Sequence, residues 1–366
     1  MKVALVHDYL NQWGGAERVL QVLAEMFPDA HIYTLLHDSA TVGRRFDGRV
    51  VKTSFLDFEL ARKNHRWFIP LMPLAADFLK LKGGYDLVIS DTAGFAKGFP
   101  MPKNTKHISY CHSPLRYAWE PDYVSSKLKV KSYKFLQLGL NILLAYLRAW
   151  DKEASLKPHL TLANSHFIGG KIKQYYGLDA SVLYPPVDTK FFSYDAKYKK
   201  GDYFLAVGRL MHYKKFDLVI DAFNKLKLPL KIAGHGPEDK FLMSLTAKFP
   251  VEFISNPSDI ELRDLYRSAR ALIFPQIEDF GMVAAESLAC GTPVVAFAGG
   301  GALEIVDDGH NGVLFHEQTA NALVAAILKA DKKRWSRKAI SASAQKFSRE
   351  NFEAGIQAAI SRLMSS

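Results

Sequence analysis

Residues 275–297 read PQIEDFGMVAAESLACGTPVVAF. Asp279, Phe280 and Gly281 have the character of a turn. Met282 to Cys290 predict a helix that Gly291 and Pro293 end. Val294 to Phe297 then forms a short apolar run, and Ala271 to Phe274 forms another just ahead of the stretch. Strand, loop, helix, strand in so few residues is the unit of a parallel sheet. Two glutamates lie within it with seven residues between them. Glu278 falls in the loop before the helix, and Glu286 about one turn inside. A helix start between two carboxylates offers backbone N–H groups to a phosphate. One carboxylate then suits a sugar hydroxyl and the other a ribose diol, the needs of a nucleotide sugar.

The same alternation runs outward in both directions. Apolar strands are predicted at Val3–Val6, His31–Tyr33, Leu87–Ser90, His107–Tyr110 and Leu160–Ala163. They recur at Tyr203–Val207, Leu230–Ala233, Val251–Ile254, Ala271–Phe274 and Val294–Phe297. Helical periods separate them, among them Ala16–Met26, Phe216–Leu226 and Ser258–Ala269, with Ser258 as N-cap. Two rounds of alternation predict an α/β protein of two doubly wound domains. Adjacent prolines in Leu183-Tyr184-Pro185-Pro186-Val187-Asp188 mark the linker. The expected divisions are 1–184, 189–350 and a C-terminal helix, 351–366, packing back on the first domain.

At 366 residues there is chain enough for two cores. The two cysteines, Cys111 and Cys290, lie in apolar runs, which argues against a disulfide framework and for a reducing compartment. The opening run MKVALVHDYL reads as a first strand; it is too short for a signal peptide, and His7 and Asp8 interrupt it. No stretch reaches the roughly 18–20 uncharged residues of a membrane span. The net charge is +11. It concentrates between Tyr123 and Trp150, where five basic residues meet no acidic one. Nucleic acid, anionic lipid, an anionic substrate or a plain solvated face each fit that excess. The aromatics nearby, Tyr133, Phe135, Tyr146 and Trp150, are mixed with Leu and Ile in an amphipathic pattern, unlike the exposed interleaving of a single-strand binder.

Three glycine turns end strands in the second half. Gly208-Arg209-Leu210 leads to Lys214 and Lys215, a pair of cations suited to a diphosphate. Gly234-His235-Gly236-Pro237 lacks a full GxGxxG and so argues against a dinucleotide fingerprint. Gly299-Gly300-Gly301 is the third. Taken singly these features have plainer readings: a basic loop for the lysines, a helix-start carboxylate for Glu278, a loop histidine for His112, and a strand end with a cap for Asn164 and Ser165. Glu286, on an otherwise apolar helix, is harder to explain without a ligand. No Asp-x-Asp pair or His/Cys cluster suggests a metal.

Together these residues resemble a retaining glycosyltransferase of family 4, over nearly the whole chain. VGRLMHYKKFDLVIDAF is similar to the family's VGRL-x-x-x-K stretch, EDFGMVAAE to its E-x7-E motif, and HDYLNQWGGAERVL to its first strand and glycine loop. YCHSPLRYAWE, ANSHFIGGKIKQYYG and LYPPVD look most like a mannosyltransferase-like branch that builds bacterial surface polysaccharides. The resemblance implies a GT-B fold, two Rossmann-like domains facing each other across a cleft. It implies Glu278 and His112 as catalytic residues. Arg209, Lys214, Glu286, Gly281, Met282, Val283 and Gly15 are implied on the donor, and Gly14 and Arg116 on the acceptor side. The implied donor is a nucleotide-diphospho-sugar, GDP-mannose by preference, with no metal or other cofactor. The implied acceptor is a lipid-linked glycan, which places the enzyme in the cytoplasm, peripheral at the inner face of the membrane on an anionic surface, through Tyr123–Trp150. A nucleotide-sugar epimerase on the same fold, and a basic nucleic-acid-binding protein, are the alternatives. One departure is minor: Lys215 occupies a position where many members have Gly, which implies an extra charge beside the diphosphate.

Overall fold

The structure is a computed structural model and describes residues 1–46, 49, 51–120, 134–246 and 251–365. The described chain divides into two compact units, Met1–Tyr184 with Glu353–Ser366, and Pro185–Phe352.

In the first unit seven strands form one sheet: β1 (Val3–Leu10), β2 (His31–His37), β3 (Val51–Thr53), β4 (Leu87–Thr92), β5 (Lys106–Cys111), β6 (Leu160–Ala163) and β7 (Ser181–Val182). Their order is β3-β2-β1-β4-β5-β6-β7, and every recorded pairing is parallel. The second unit holds β8 (Phe204–Val207), β9 (Leu230–Ala233), β10 (Val251–Ile254), β11 (Leu272–Phe274), β12 (Val294–Phe297) and β13 (Gly312–Phe315). These run in the order β10-β9-β8-β11-β12-β13, again parallel. Both sheets therefore reverse direction of winding once, between β1 and β4 and between β8 and β11. In open α/β sheets the crevice beyond the strand ends at that reversal is where ligands bind.

The central strands are buried, and most of their residues are apolar toward both faces. β8 and β11 are fully buried, and helix Phe216–Leu226 lays Phe216, Val219, Ile220 and Phe223 on the core of the second unit. Helix Asp259–Ser268 opens with a capping box, in which the Ser258 hydroxyl accepts from Glu261 N–H and the Glu261 carboxylate accepts from Ser258 N–H. Three strands, β3, β7 and β13, were not expected from sequence. β3 and β7 are only three and two residues long. β13 begins on Gly312, whose missing Cβ lets it lie against the Val294 carbonyl.

Both cysteines are free and buried. Among the described residues no helix is long and apolar enough to cross a membrane. Helix Lys134–Ser155 has two characters: Leu144 and Leu147 are buried in the first core, with Leu143 and Trp150 packed on it, while Leu138, Ile142 and Tyr146 are exposed. Of the lysines expected at an anionic surface, Lys127, Lys129 and Lys131 lie outside the described residues, as does the side chain of Lys134.

Candidate functional site

Four neighbouring strands of the second unit, β9, β8, β11 and β12, carry the glycine loops and the Glu278 loop at their C-terminal ends. The loops touch one another directly. Leu210 N–H donates to the His235 carbonyl at 3.0 Å and Gly208 N–H to the Ala233 carbonyl at 3.0 Å. A Cβ at Gly234 would strike the Gly208 carbonyl, and one at Gly236 would strike that of Leu210. On the other side, Gly301 N–H donates to the Glu278 carbonyl at 2.9 Å, and side chains at Gly300 or Gly301 would collide with the backbone of Glu278 and Phe280.

That packing sets the charged groups. Lys214 ends a short turn, His212–Lys214, and its ammonium is hydrogen-bonded to the Glu278 carboxylate. Gln276 Nε2 donates to the same carboxylate oxygen at 3.2 Å. Arg209 is exposed in the Gly208–Leu210 loop. Lys215 has φ +58° and serves as N-cap of helix Phe216–Leu226. This backbone favours glycine, so Lys215 holds a conformation that glycine would adopt without strain.

Helix Met282–Ala289 starts from Gly281, at φ +113°. A Cβ there would come within 3.0 Å of the Phe274 ring. By helix geometry the N–H groups of Gly281, Met282 and Val283 lack intrahelical partners, so they form an anion-accepting end beside Glu278. Glu286, a turn further on, is only 3% exposed. Its carboxylate accepts from the Tyr266 hydroxyl at 3.1 Å. This unit thus holds Arg209, Lys214, Glu278, Gly281, Met282, Val283 and Glu286 around one sheet edge.

The first unit builds a second cluster at its own reversal point. His112 follows β5, and its Nε2 meets Asp91 Oδ1 at 2.6 Å. The other Asp91 oxygen lies 2.9 Å from His7 Nδ1, and Glu17 lies 3.7 Å from His7 Nε2. His7 and Asp91 are register partners across β1 and β4. Burial alone would depress the His7 pKa, but hydrogen bonds to Asp91 and Glu17, with their charges, hold it at about 10. Burial likewise opposes ionisation of Asp91, yet the His112 and His7 partners keep its pKa below the ordinary value. Two carboxylates and a buried imidazolium therefore back the His112 ring. Asn164 Nδ2 donates to the His112 carbonyl at 3.1 Å, and Ser165 caps helix His166–Tyr176.

Gly14 is the N-cap of helix Gly15–Met26, and a Cβ on it would lie 3.2 Å from Glu17 Oε2. Arg116 opens the short helix Arg116–Trp119, four residues past His112. Asp8 holds the adjoining loop, accepting N–H donors from Ala93, Phe95 and Ala96 at 2.6–2.7 Å. Reasoning from sequence did not find His7, Asp8, Glu17, Asp91 or Tyr266. A signal existed: charged residues at the ends of apolar strands, in HD of β1 and SDT of β4, are costly to bury without partners.

Two family models match the chain, one described as glycosyl transferases group 1 over residues 188–347 and one as Glycosyltransferase Family 4 over residues 13–191. The chain carries both domains of a GT-B glycosyltransferase. It is 30% identical, over 209 residues, to an uncharacterized glycosyltransferase of Methanocaldococcus jannaschii, covering 56% of this chain and 58% of that one. It is 38% identical over 119 residues to a D-inositol 3-phosphate glycosyltransferase of Mycobacterium tuberculosis, covering 30% and 25%. The chain thus spans less than two thirds of the length of these curated relatives. In fold it is similar to Anabaena HepE, solved with UDP and glucose (TM-score 0.70, 18% identity, 99% of both chains). It is also similar to the sucrose-phosphate synthase of Thermosynechococcus elongatus (TM-score 0.75, 17% identity, 100% of both chains).

Proposed function

We propose that this protein is a retaining hexosyltransferase that moves a sugar, mannose by preference, from a nucleotide-diphospho-sugar to a lipid-linked glycan acceptor in bacterial polysaccharide or O-antigen assembly. The observation that carries the reading is the set of opposed groups on one sheet edge of the second unit. A lysine–glutamate pair, a free helix start and a buried glutamate lie together among loops that glycines hold in backbone contact.

In this reading the anomeric C–O bond breaks, and both its electrons pass to the departing phosphate oxygen. The sugar gains oxocarbenium character while the nucleoside diphosphate gains negative charge. Arg209, Lys214 and the N–H groups of Gly281–Val283 stabilise that charge, so the leaving group needs no metal. Glu278 orients the sugar ring and Glu286 receives the ribose diol. The acceptor hydroxyl attacks on the face the diphosphate leaves and gives its proton to the departing phosphate. The roles proposed in the first unit are the donor phosphates for Gly15, the acceptor for Gly14 and Arg116, and the reacting sugar for His112. With Nε2 held by Asp91, Nδ1 is the nitrogen presented to a hydroxyl. The protein works in the cytoplasm, at the anionic inner face of the membrane, where a lipid-linked acceptor resides.

The test is a panel of nucleotide sugars, GDP-mannose and UDP-glucose among them, with and without a lipid-linked acceptor, read by mass spectrometry. A glycosylated acceptor of unchanged anomeric configuration is expected. Consumption of donor to free or epimerised sugar regardless of acceptor would overturn the reading.

A further inference from the structure

The first unit contains a groove of about 510 Å³ that no catalytic or donor-binding role above uses. One wall is the segment from Lys63 to Pro70, and the other is the face of helix Lys134–Ser155 bearing Leu140, Leu143 and Leu147. The volume lies within the roughly 300–1,000 Å³ of ligand pockets. An apolar cavity of roughly 150 Å³ takes up benzene; by that scale this groove holds on the order of twenty carbons.

We infer that this groove receives the proximal hydrocarbon chain of a phosphate-bearing lipid, the carrier of the acceptor. Three observations select that occupant. Apolar side chains line both walls, and Ile69, Leu144 and Leu147 extend the lining into the core. Lys63 and Arg66 stand exposed on the same wall, Lys63 sharing its charge with Glu59 at 2.6 Å, so a cationic edge adjoins the apolar floor. On the same wall Trp67, next to Arg66, is 70% exposed, followed by exposed Leu71, Leu74 and Phe78. An indole left in water beside cations is the composition of a membrane interface.

The groove is also tied to the candidate acceptor side. Asn11, at the end of β1, donates through Nδ2 to the Arg62 carbonyl at 2.8 Å and lies 3.2 Å from His65 Nδ1. The Tyr9 and His65 rings are 5.3 Å apart. The wall is therefore pinned to the strand that leads into Gly14. A chain seated there places its phosphate by Arg66 and carries its glycan toward that loop. The inference rests on the lipid-linked acceptor proposed above for the occupant's identity, but the groove itself does not depend on it.

The test is calorimetry of the full chain with farnesyl phosphate, without any sugar donor. Binding is expected, with a negative heat-capacity change from apolar burial, weaker for farnesol and absent for inorganic phosphate alone. Trp67→Ala, a surface change that spares the core, is expected to weaken binding about tenfold or more, and Leu140→Gln likewise. Arg66→Gln is expected to erase the preference for the phosphate ester. Nucleoside diphosphate affinity should stay unchanged in all three. No binding by the wild type, or equal binding by Trp67→Ala and Leu140→Gln, overturns the inference. So does a wild-type dimer, by sedimentation, that Trp67→Ala dissociates, because a second copy would then fill the groove. Farnesyl phosphate binding without transfer to any lipid acceptor upholds the groove and sinks the acceptor reading alone.

Discussion

The Asp91 carboxylate meets the His112 ring at 2.6 Å and thereby decides which imidazole nitrogen faces outward. Asp91 is in turn held by His7 from the far side. The orientation of the ring is thus set by groups packed behind it on β1 and β4.

Asp91→Asn should leave the chain folded and its donor affinity near wild type while lowering turnover. A lost charge-assisted hydrogen bond is worth about 1.5–3 kcal/mol, roughly 10- to 100-fold in rate. Steady-state kinetics with the donor varied checks this; an effect on KM alone contradicts the positioning role.

Glu278→Ala should nearly abolish transfer and leave nucleoside diphosphate affinity within a few-fold of wild type, because its role is on the sugar. Transfer within about threefold of wild type removes Glu278 from the mechanism.

Glu286→Ala and Lys214→Ala should each weaken donor binding by about 1.5–3 kcal/mol. Titration calorimetry with the nucleoside diphosphate reads it directly, and unchanged affinity in both variants would place the nucleotide elsewhere.

His7 sets a pH dependence of stability. Its pKa is raised from 6.5 to about 10, so its contribution is complete below about pH 6.5 and fades as pH climbs toward the folded value. Asp91, shifted down, contributes above its ordinary range and loses that contribution only in acid. Urea midpoints should therefore fall between about pH 6.5 and 8.5 in the wild type and stay flatter in His7→Gln. Parallel curves would mean His7 is neutral in the fold.

The buried pair Lys97–Asp151, at 2.5 Å, also receives the Trp119 indole N–H and the Tyr176 hydroxyl on Asp151. Asp151→Ala strands an ammonium in the core and should cost about 3–5 kcal/mol. Chemical denaturation measures it; a loss under about 1 kcal/mol would show that the lysine finds water.

How much of this was readable in the chain depends on sequence distance. The second sheet's predicted strands match their observed limits within a residue, because short apolar runs bounded by turn residues or charges leave little alternative. Glu278, Gly281 and Glu286 were legible together because one βαβ unit carries all three. His7 and Asp91 sit 84 residues apart, and nothing local in either strand names the other. Asn164 shows a subtler limit: its neighbour Ser165 takes the expected cap, while Asn164 turns to the His112 backbone. Pattern reveals that a polar residue closes a strand, but only packing decides whom it serves.

The glycines of the second unit carry one more implication. Gly234, Gly236, Gly300 and Gly301 hold opposing loops in contact by contributing no side chain at all. A single added methyl group at any of them must wedge two loops apart and shift Arg209, Lys214 or Glu278 together, though none of those groups is altered. Part of this protein's vulnerability to mutation is therefore concentrated at positions with no chemistry of their own, and a survey limited to charged or hydrogen-bonding residues would pass over them.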